Sequence, residues 1–163
     1  MRPIDRVLET ILYVDDLAAA ERFYGDVLGL QLDSRKDGLF VFFKCGDGML
    51  LLFEPRAAST GRNVPAHGAH GPGHACFAVA ENDLDDWKAH LADAGVTIEQ
   101  EMAWPRGGRS FYFRDPAGKP GAGDPEDLGS ARRRERVSQL SGAWCRGGNG
   151  LIFPTDPQPR SPA

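Results

Sequence analysis

Two side chains in this sequence stand where a metal ion could be held. Glu9 lies one residue into the apolar run Leu8–Val14 (LETILYV), and His74 opens the run His74–Ala80 (HACFAVA) directly after a Gly-Pro-Gly turn. A carboxylate among apolar neighbours must be paired, hydrogen-bonded or metal-bound, unless the strand end turns it to solvent. A neutral imidazole is the commonest metal ligand, although hydrogen bonds alone can also hold a strand-opening histidine. His67 and His70 complete an H-x-x-H-x-x-x-H spacing with His74, but the glycine-rich stretch around them reads as a solvated loop. His90 reads as a helix-surface residue. Arg106 and Arg109 flank Gly107-Gly108, a loop from which an arginine could meet an anionic substrate or simply face water. Three cysteines, Cys45, Cys76 and Cys145, are too few and too scattered for a disulfide framework or a CxxC zinc site. Cys45 and Cys76 read as small buried apolar residues.

These residues need elements to position them, and the elements come in two matching sets. Leu8–Val14 has the β-branched and aromatic content of a strand. Asp15-Asp16 then offers a helix N-cap, and Leu17, Ala20, Phe23, Tyr24, Val27 and Leu28 follow at helical spacing up to Gly29. Strands are predicted over Leu30–Arg35, Leu39–Cys45 and Met49–Glu54, parted by the turn signals Lys36-Asp37-Gly38 and Gly46-Asp47-Gly48. The aperiodic stretch 56–72 reads as a linker. The order then begins again: a strand at His74–Ala80, a helix capped by Asn82 or Asp83 and closed by Gly95, and strands at Val96–Glu101 and Ser110–Phe113. A repeated βαβββ unit is a stronger signal than any single motif in it. Most of the aromatics Phe40, Phe42, Phe43, Phe53, Trp104, Phe111, Tyr112 and Phe113 belong to a core, with some left to line a cavity. Alternation puts Phe40 with Phe42 on one face, and Phe111 with Phe113 on another.

The repeat stops short. Its eighth strand is due just after Asp115-Pro116-Ala117-Gly118, yet KPGAGDPEDLG has prolines and glycines where apolar alternation is needed, and no strand is expected there. The chain of 163 residues is 41% hydrophobic with net charge −4, an ordinary balance that hides a contrast. Residues 1–118 carry 12 Lys+Arg against 18 Asp+Glu, whereas 119–163 carry 7 against 5 and hold six of the twelve prolines. The second stretch has too few apolar residues to build a core and is predicted to be disordered. The acidic balance argues against nucleic acid as a partner, and Arg132-Arg133-Arg134-Glu135-Arg136 alone does not reverse that. No apolar run is long enough for a membrane span or a secretory signal, so the expected location is the cytoplasm.

The segments LETILYVDDLAAAERFYGDVLGLQL, GDGMLLLFEP, GPGHACFAV and GGRSFYFRDPAG, in this order around a duplicated unit, resemble the vicinal oxygen chelate superfamily of glyoxalases, bleomycin and fosfomycin resistance proteins and extradiol dioxygenases. The resemblance covers about residues 1–118. It implies an α+β fold in which two βαβββ modules form a curled mixed sheet around a cavity, with the first module at 1–55, the linker at 56–72, a truncated second module at 73–118 and an aberrant tail at 119–163. It also implies metal ligands at Glu9 and His74. The position the family uses on the fourth strand falls on Leu51 or Leu52, which cannot ligate, and the glutamate expected on the eighth strand is absent. Dropping one base from the Lys119 codon lets the following codons be read as N-L-E-L-A-T-P-R-I-W, close to what the family places there, so the tail reads as an out-of-frame continuation. One histidine and two carboxylates would make a hard, open site suited to Mn, Mg or Fe(II) ahead of Ni or Zn. As written, two ligands predict weak or absent binding of a divalent metal. The implied activity is metal-assisted lyase or dioxygenase chemistry on a small molecule with vicinal oxygens, with Phe53, Arg109 and Phe111 as substrate contacts and a homodimer as the assembly. The alternative is a metal-free protein that sequesters an antibiotic or aromatic compound.

Overall fold

The computed structural model describes residues 4, 6–60, 64–105 and 108–125. Strand β1 (Glu9–Tyr13) leads into helix α1 (Leu17–Arg22), which continues as a π-helical turn over Phe23–Val27. The Asp16 carboxylate accepts from the Ala19 N–H at 2.8 Å, the N-cap that the sequence offered. Widening into the π turn lets adjacent Phe23 and Tyr24 both be buried, and the Leu28 N–H bonds the Phe23 carbonyl at 3.0 Å. Strands β2 (Gln31–Lys36), β3 (Phe40–Cys45) and β4 (Gly48–Phe53) complete the first module. A one-turn helix α2 (Pro55–Ala58), capped by the Glu54 carboxylate, takes up the start of the stretch expected to be linker.

The second module repeats the plan with β5 (Ala75–Val79), a 3-10 turn at Glu81–Asp83, α3 (Leu84–Asp93), β6 (Gln100–Ala103), β7 (Arg109–Arg114) and β8 (Pro120–Pro125). Each module is a four-stranded sheet, ordered β1-β4-β3-β2 and β5-β8-β7-β6, with the first and last strands of each module parallel and the rest antiparallel. The duplication read from the sequence is therefore a duplication of topology, and the two sheets remain separate.

Two expectations about strands are corrected. The strand expected at Val96–Glu101 begins only at Gln100, because Val96 and Ile98 pack against the core instead of pairing and the Val96 N–H returns to the Leu91 carbonyl at 2.8 Å. More consequentially, β8 exists where none was expected. Pro120–Pro125 is hydrogen-bonded between β5 and β7, so the first residues of the stretch assigned to the tail belong to the sheet. Its prolines sit at the two ends, where a missing N–H disturbs the ladder least. Its glycines lie under aromatic rings: a Cβ at Gly121 would stand 2.6 Å from Phe113 Cε2 and Cζ, and Gly123 lies beneath the Phe111 ring. The partner strand thus supplies the bulk that β8 lacks. The arginine run, Cys145 and the rest of the expected tail lie outside the described residues.

One apolar core joins the modules, with Leu12, Val14, Phe23, Tyr24, Val41, Phe43, Leu50 and Leu52 meeting Ala75, Leu84, Leu91, Phe111 and Phe113. Tyr24 makes the polar link across it, donating to the buried Asp115 carboxylate at 2.8 Å. Asp115 also accepts from the Ala117 and Lys119 N–H groups, so the turn before β8 is built around a satisfied buried acid. Burial and the Asp115 charge push the Tyr24 phenol far above the ordinary tyrosine range.

Candidate functional site

Core packing uses one side of each sheet, and the other side is more open, with Leu51, Ser110 and Ala122 buried there among half-buried and exposed neighbours. On β4, Leu50 and Leu52 are buried beside Leu12 and Phe43, so by alternation Met49, Leu51 and Phe53 lie on the opposite face. Register then fixes their neighbours: Glu9 pairs with Met49, Ile11 with Leu51 and Tyr13 with Phe53, while Phe42 and Phe40 lie across from Leu51 and Phe53. The open face of the first sheet therefore runs from the Glu9 carboxylate at one end to an aromatic cluster at the other. Phe40 and Phe42 stack at 4.1 Å, and Phe53 meets Phe42 edge-on at 5.2 Å and Tyr13 at 6.5 Å. Glu9 itself is exposed at the start of β1.

On the second sheet, His74 stands exposed one residue before β5. Its strand carries Cys76 and Ala78 on the open side, and Asp124 on β8 reaches across to them. The Cys76 thiol donates to Asp124 at 3.1 Å, the Ser110 hydroxyl donates to the same carboxylate, and Trp104 Nε1 donates to Ser110 Oγ at 2.7 Å. Cys76 is exposed, contrary to its reading as a buried apolar residue, because strand alternation turns it away from the core occupied by Ala75 and Phe77. Cys45 is half-buried, and that burial raises its thiol pKa.

Of the expected substrate contacts, Phe53 lies on the open face and the other two do not. Phe111 is buried in the core, 3% exposed, over Gly123. Arg109 is tied to Asp85 of α3 by two hydrogen bonds at 3.1 and 3.2 Å. Arg109 first, and Lys88 after it, hold the Asp85 carboxyl down to about 2. Arg106 lies outside the described residues. His90 is a surface residue as read, although it also contacts the Val27 carbonyl at 2.8 Å.

His67, read from the sequence as part of a solvated loop, is corrected by the structure, and Tyr13 is a residue that sequence reasoning missed. His67 is half-buried: its Nδ1 lies 2.8 Å from the Tyr13 hydroxyl and its ring meets Phe53 edge-on at 4.6 Å. Tyr13 was legible in principle, since alternation along β1 puts it on the Glu9 face. His67 had no local signal, because its partner is 54 residues away.

Both the fold and the sequence place the chain. The sequence profile of the Glyoxalase/Bleomycin resistance protein/Dioxygenase superfamily matches residues 4–119, and the chain belongs to that superfamily. It is 35% identical over 107 residues to the glutathione transferase FosA of Serratia marcescens, covering 66% of this chain and 71% of that one. It also resembles the crystal structure of a lactoylglutathione lyase from Agrobacterium tumefaciens, with 41% identity and a TM-score of 0.76 over 79% of this chain and 99% of that one. An integron cassette protein from Vibrio cholerae shares the fold at 26% identity and a TM-score of 0.62, over 78% and 99% of the two chains.

Proposed function

We propose that this fold serves metal-assisted chemistry on a small molecule with vicinal oxygens, and that the chain keeps two ligands for the ion, Glu9 and His74, while lacking the third. Family membership and the likeness to a FosA protein and a lactoylglutathione lyase support the class of chemistry. The residues present do not fit a complete site. Among the described residues no group of three His, Cys, Asp or Glu side chains stands close enough to hold a metal ion. On β8, Ala122 stands beside Cys76 on the side away from the core, where a further ligand would be needed, and cannot ligate, while Gly121 faces the Phe113 ring. With that ligand missing, any divalent ion, whether Mn, Mg, Fe, Ni or Zn, is held weakly in this chain.

That β8 position is the observation on which the reading turns. It also supports a frame change near Lys119 as the origin of the loss. Mn(II) titration followed by electron paramagnetic resonance tests both halves. The chain as it stands should bind Mn(II) with a Kd above about 100 μM, and a gene restored to the N-L-E-L frame should bind at least tenfold more tightly. Equal affinities, or a gene in which no small insertion or deletion restores a Glu-Leu strand, would refute it.

The second reading, metal-free binding of an aromatic compound or antibiotic, is favoured by one observation: the rings of Tyr13, Phe40, Phe42 and Phe53 lie together on one face of the first sheet and are only half-buried by the described residues. A restored protein that binds no divalent metal would select it. In either case the separate sheets leave their open faces for a small molecule or a second copy of the chain to cover, and a homodimer is part of the proposal. No helix among the described residues is long and apolar enough to cross a membrane.

A further inference from the structure

The geometry points to a recognition subsite for an aromatic ring carrying a hydroxyl group, built by Tyr13, Phe53 and His67 at the far end of the open face from Glu9. This rests on the reading that the open face binds a small molecule, and it identifies which part of that molecule is met there.

Three contacts bring His67 out of its glycine-rich segment and onto the sheet. Its N–H donates to the Ala58 carbonyl at 3.2 Å, its Nδ1 meets the Tyr13 hydroxyl at 2.8 Å, and its ring stands nearly perpendicular to Phe53, at 82°. Docking the segment needs only one ring nitrogen. The other, Nε2, makes no hydrogen bond among the described residues, although it sits on a half-buried ring among aromatic neighbours. A polar atom in such surroundings competes poorly for water and gains from a partner brought by a ligand. The surrounding rings present π faces and edges, which favour an offset or edge-to-face aromatic guest over an aliphatic one of the same size.

The Tyr13 hydroxyl and the His67 imidazole can each donate or accept, so a phenolic hydroxyl fits either tautomer of the histidine. Glu9 and Tyr13 lie four residues apart on the same face of β1, roughly 13 Å between Cα atoms at the strand rise. A molecule that reached Glu9 with one end would therefore present its ring to His67 only if the two ends were separated by a chain of several bonds.

Phenol, titrated into the full chain in the presence of a chelator, is the probe. We expect saturable binding, a shift of the His67 Nε2 resonance in the unaltered protein, and at least fivefold weaker binding of cyclohexanol. His67→Ala and Phe53→Leu should each weaken phenol at least fivefold, and His67→Gln, which keeps a hydrogen-bonding group, should recover part of the loss. Phenol binding no better than cyclohexanol, or an unmoved His67 resonance at saturation, would overturn the subsite even where a variant fails to fold. The Mn(II) titration separates the two ideas. Tighter Mn(II) binding on restoring the frame, without phenol binding to the chain, refutes the subsite alone, and phenol binding with no gain in Mn(II) affinity on restoring the frame supports the subsite while removing the metal reading.

Discussion

Replacing Gly121 by alanine probes the way β8 is held. Gly121 lies directly across from Phe113, and an added methyl would stand 2.6 Å from two atoms of that ring and 3.2 Å from a third. Phe113 is 3% exposed and touches Phe23 and Phe111, each at a centroid distance of 6.1 Å, so the ring has little room to withdraw. Overpacking of this kind costs ~1–3 kcal/mol. Alanine recovers ~0.5–1 kcal/mol by its lower backbone entropy in a strand, which leaves a net loss of about 1–2 kcal/mol. At 2–4 °C per kcal/mol for a chain of this size, Tm should fall by about 4 °C. Urea unfolding should show a lower midpoint with an unchanged slope. The control is the same substitution in a Phe113→Leu background, where the obstructing ring edge is gone and the cost should shrink by more than 0.5 kcal/mol. A Gly121→Ala protein more stable than its parent, or a cost unchanged in the Phe113→Leu background, would show that the ring does not fill the space over the glycine.

Other consequences follow from the polar groups. Tyr24→Phe leaves the buried Asp115 with only its two backbone donors, and should cost about 1–3 kcal/mol in urea unfolding. Because the folded-state pKa of Tyr24 lies above the ordinary value, its contribution is complete below about pH 10 and is lost as pH rises. Alkaline absorbance titration should therefore find one tyrosine that ionises only on unfolding. The opposite sign holds for Asp85, whose carboxyl is held down to about 2 by Arg109 and then Lys88: its contribution is present above about pH 3.9 and fades as pH falls towards 2. Carbon-13 titration of that carboxyl should move back towards the ordinary aspartate value in Arg109→Gln, and in 1 M salt as well, since both partners are solvent-screened.

The paired modules were legible in the sequence because the signals behind them are local. The Asp16 cap, the spacing from Leu17 to Leu28 and the glycine turns each act within a few residues, and their repetition fixed both sheets. What could not be read was decided by partners distant in sequence. β8 has almost no strand signal of its own and owes its place to the edges of β5 and β7 and to the rings of Phe111 and Phe113. His67 has the surroundings of a loop residue and is fixed by Tyr13. Arg109 sat beside a mobile-looking glycine pair, and a carboxylate on α3 claimed it. Glu9 and His74 were singled out by residue type at strand starts, and the structure puts Glu9 at the start of β1 and His74 one residue before β5, with no group of three ligating side chains among the described residues.

A strand that needs only its main chain and its neighbours' side chains separates architecture from chemistry. The slot between β5 and β7 accepts a run of proline, glycine and alanine, so a change in the last part of the gene can erase a ligand in one event and leave the scaffold standing. On the function proposed above, a protein built this way would lose its reaction before it lost its shape. What survives is a folded body with an open aromatic face, on which selection for a different ligand can act.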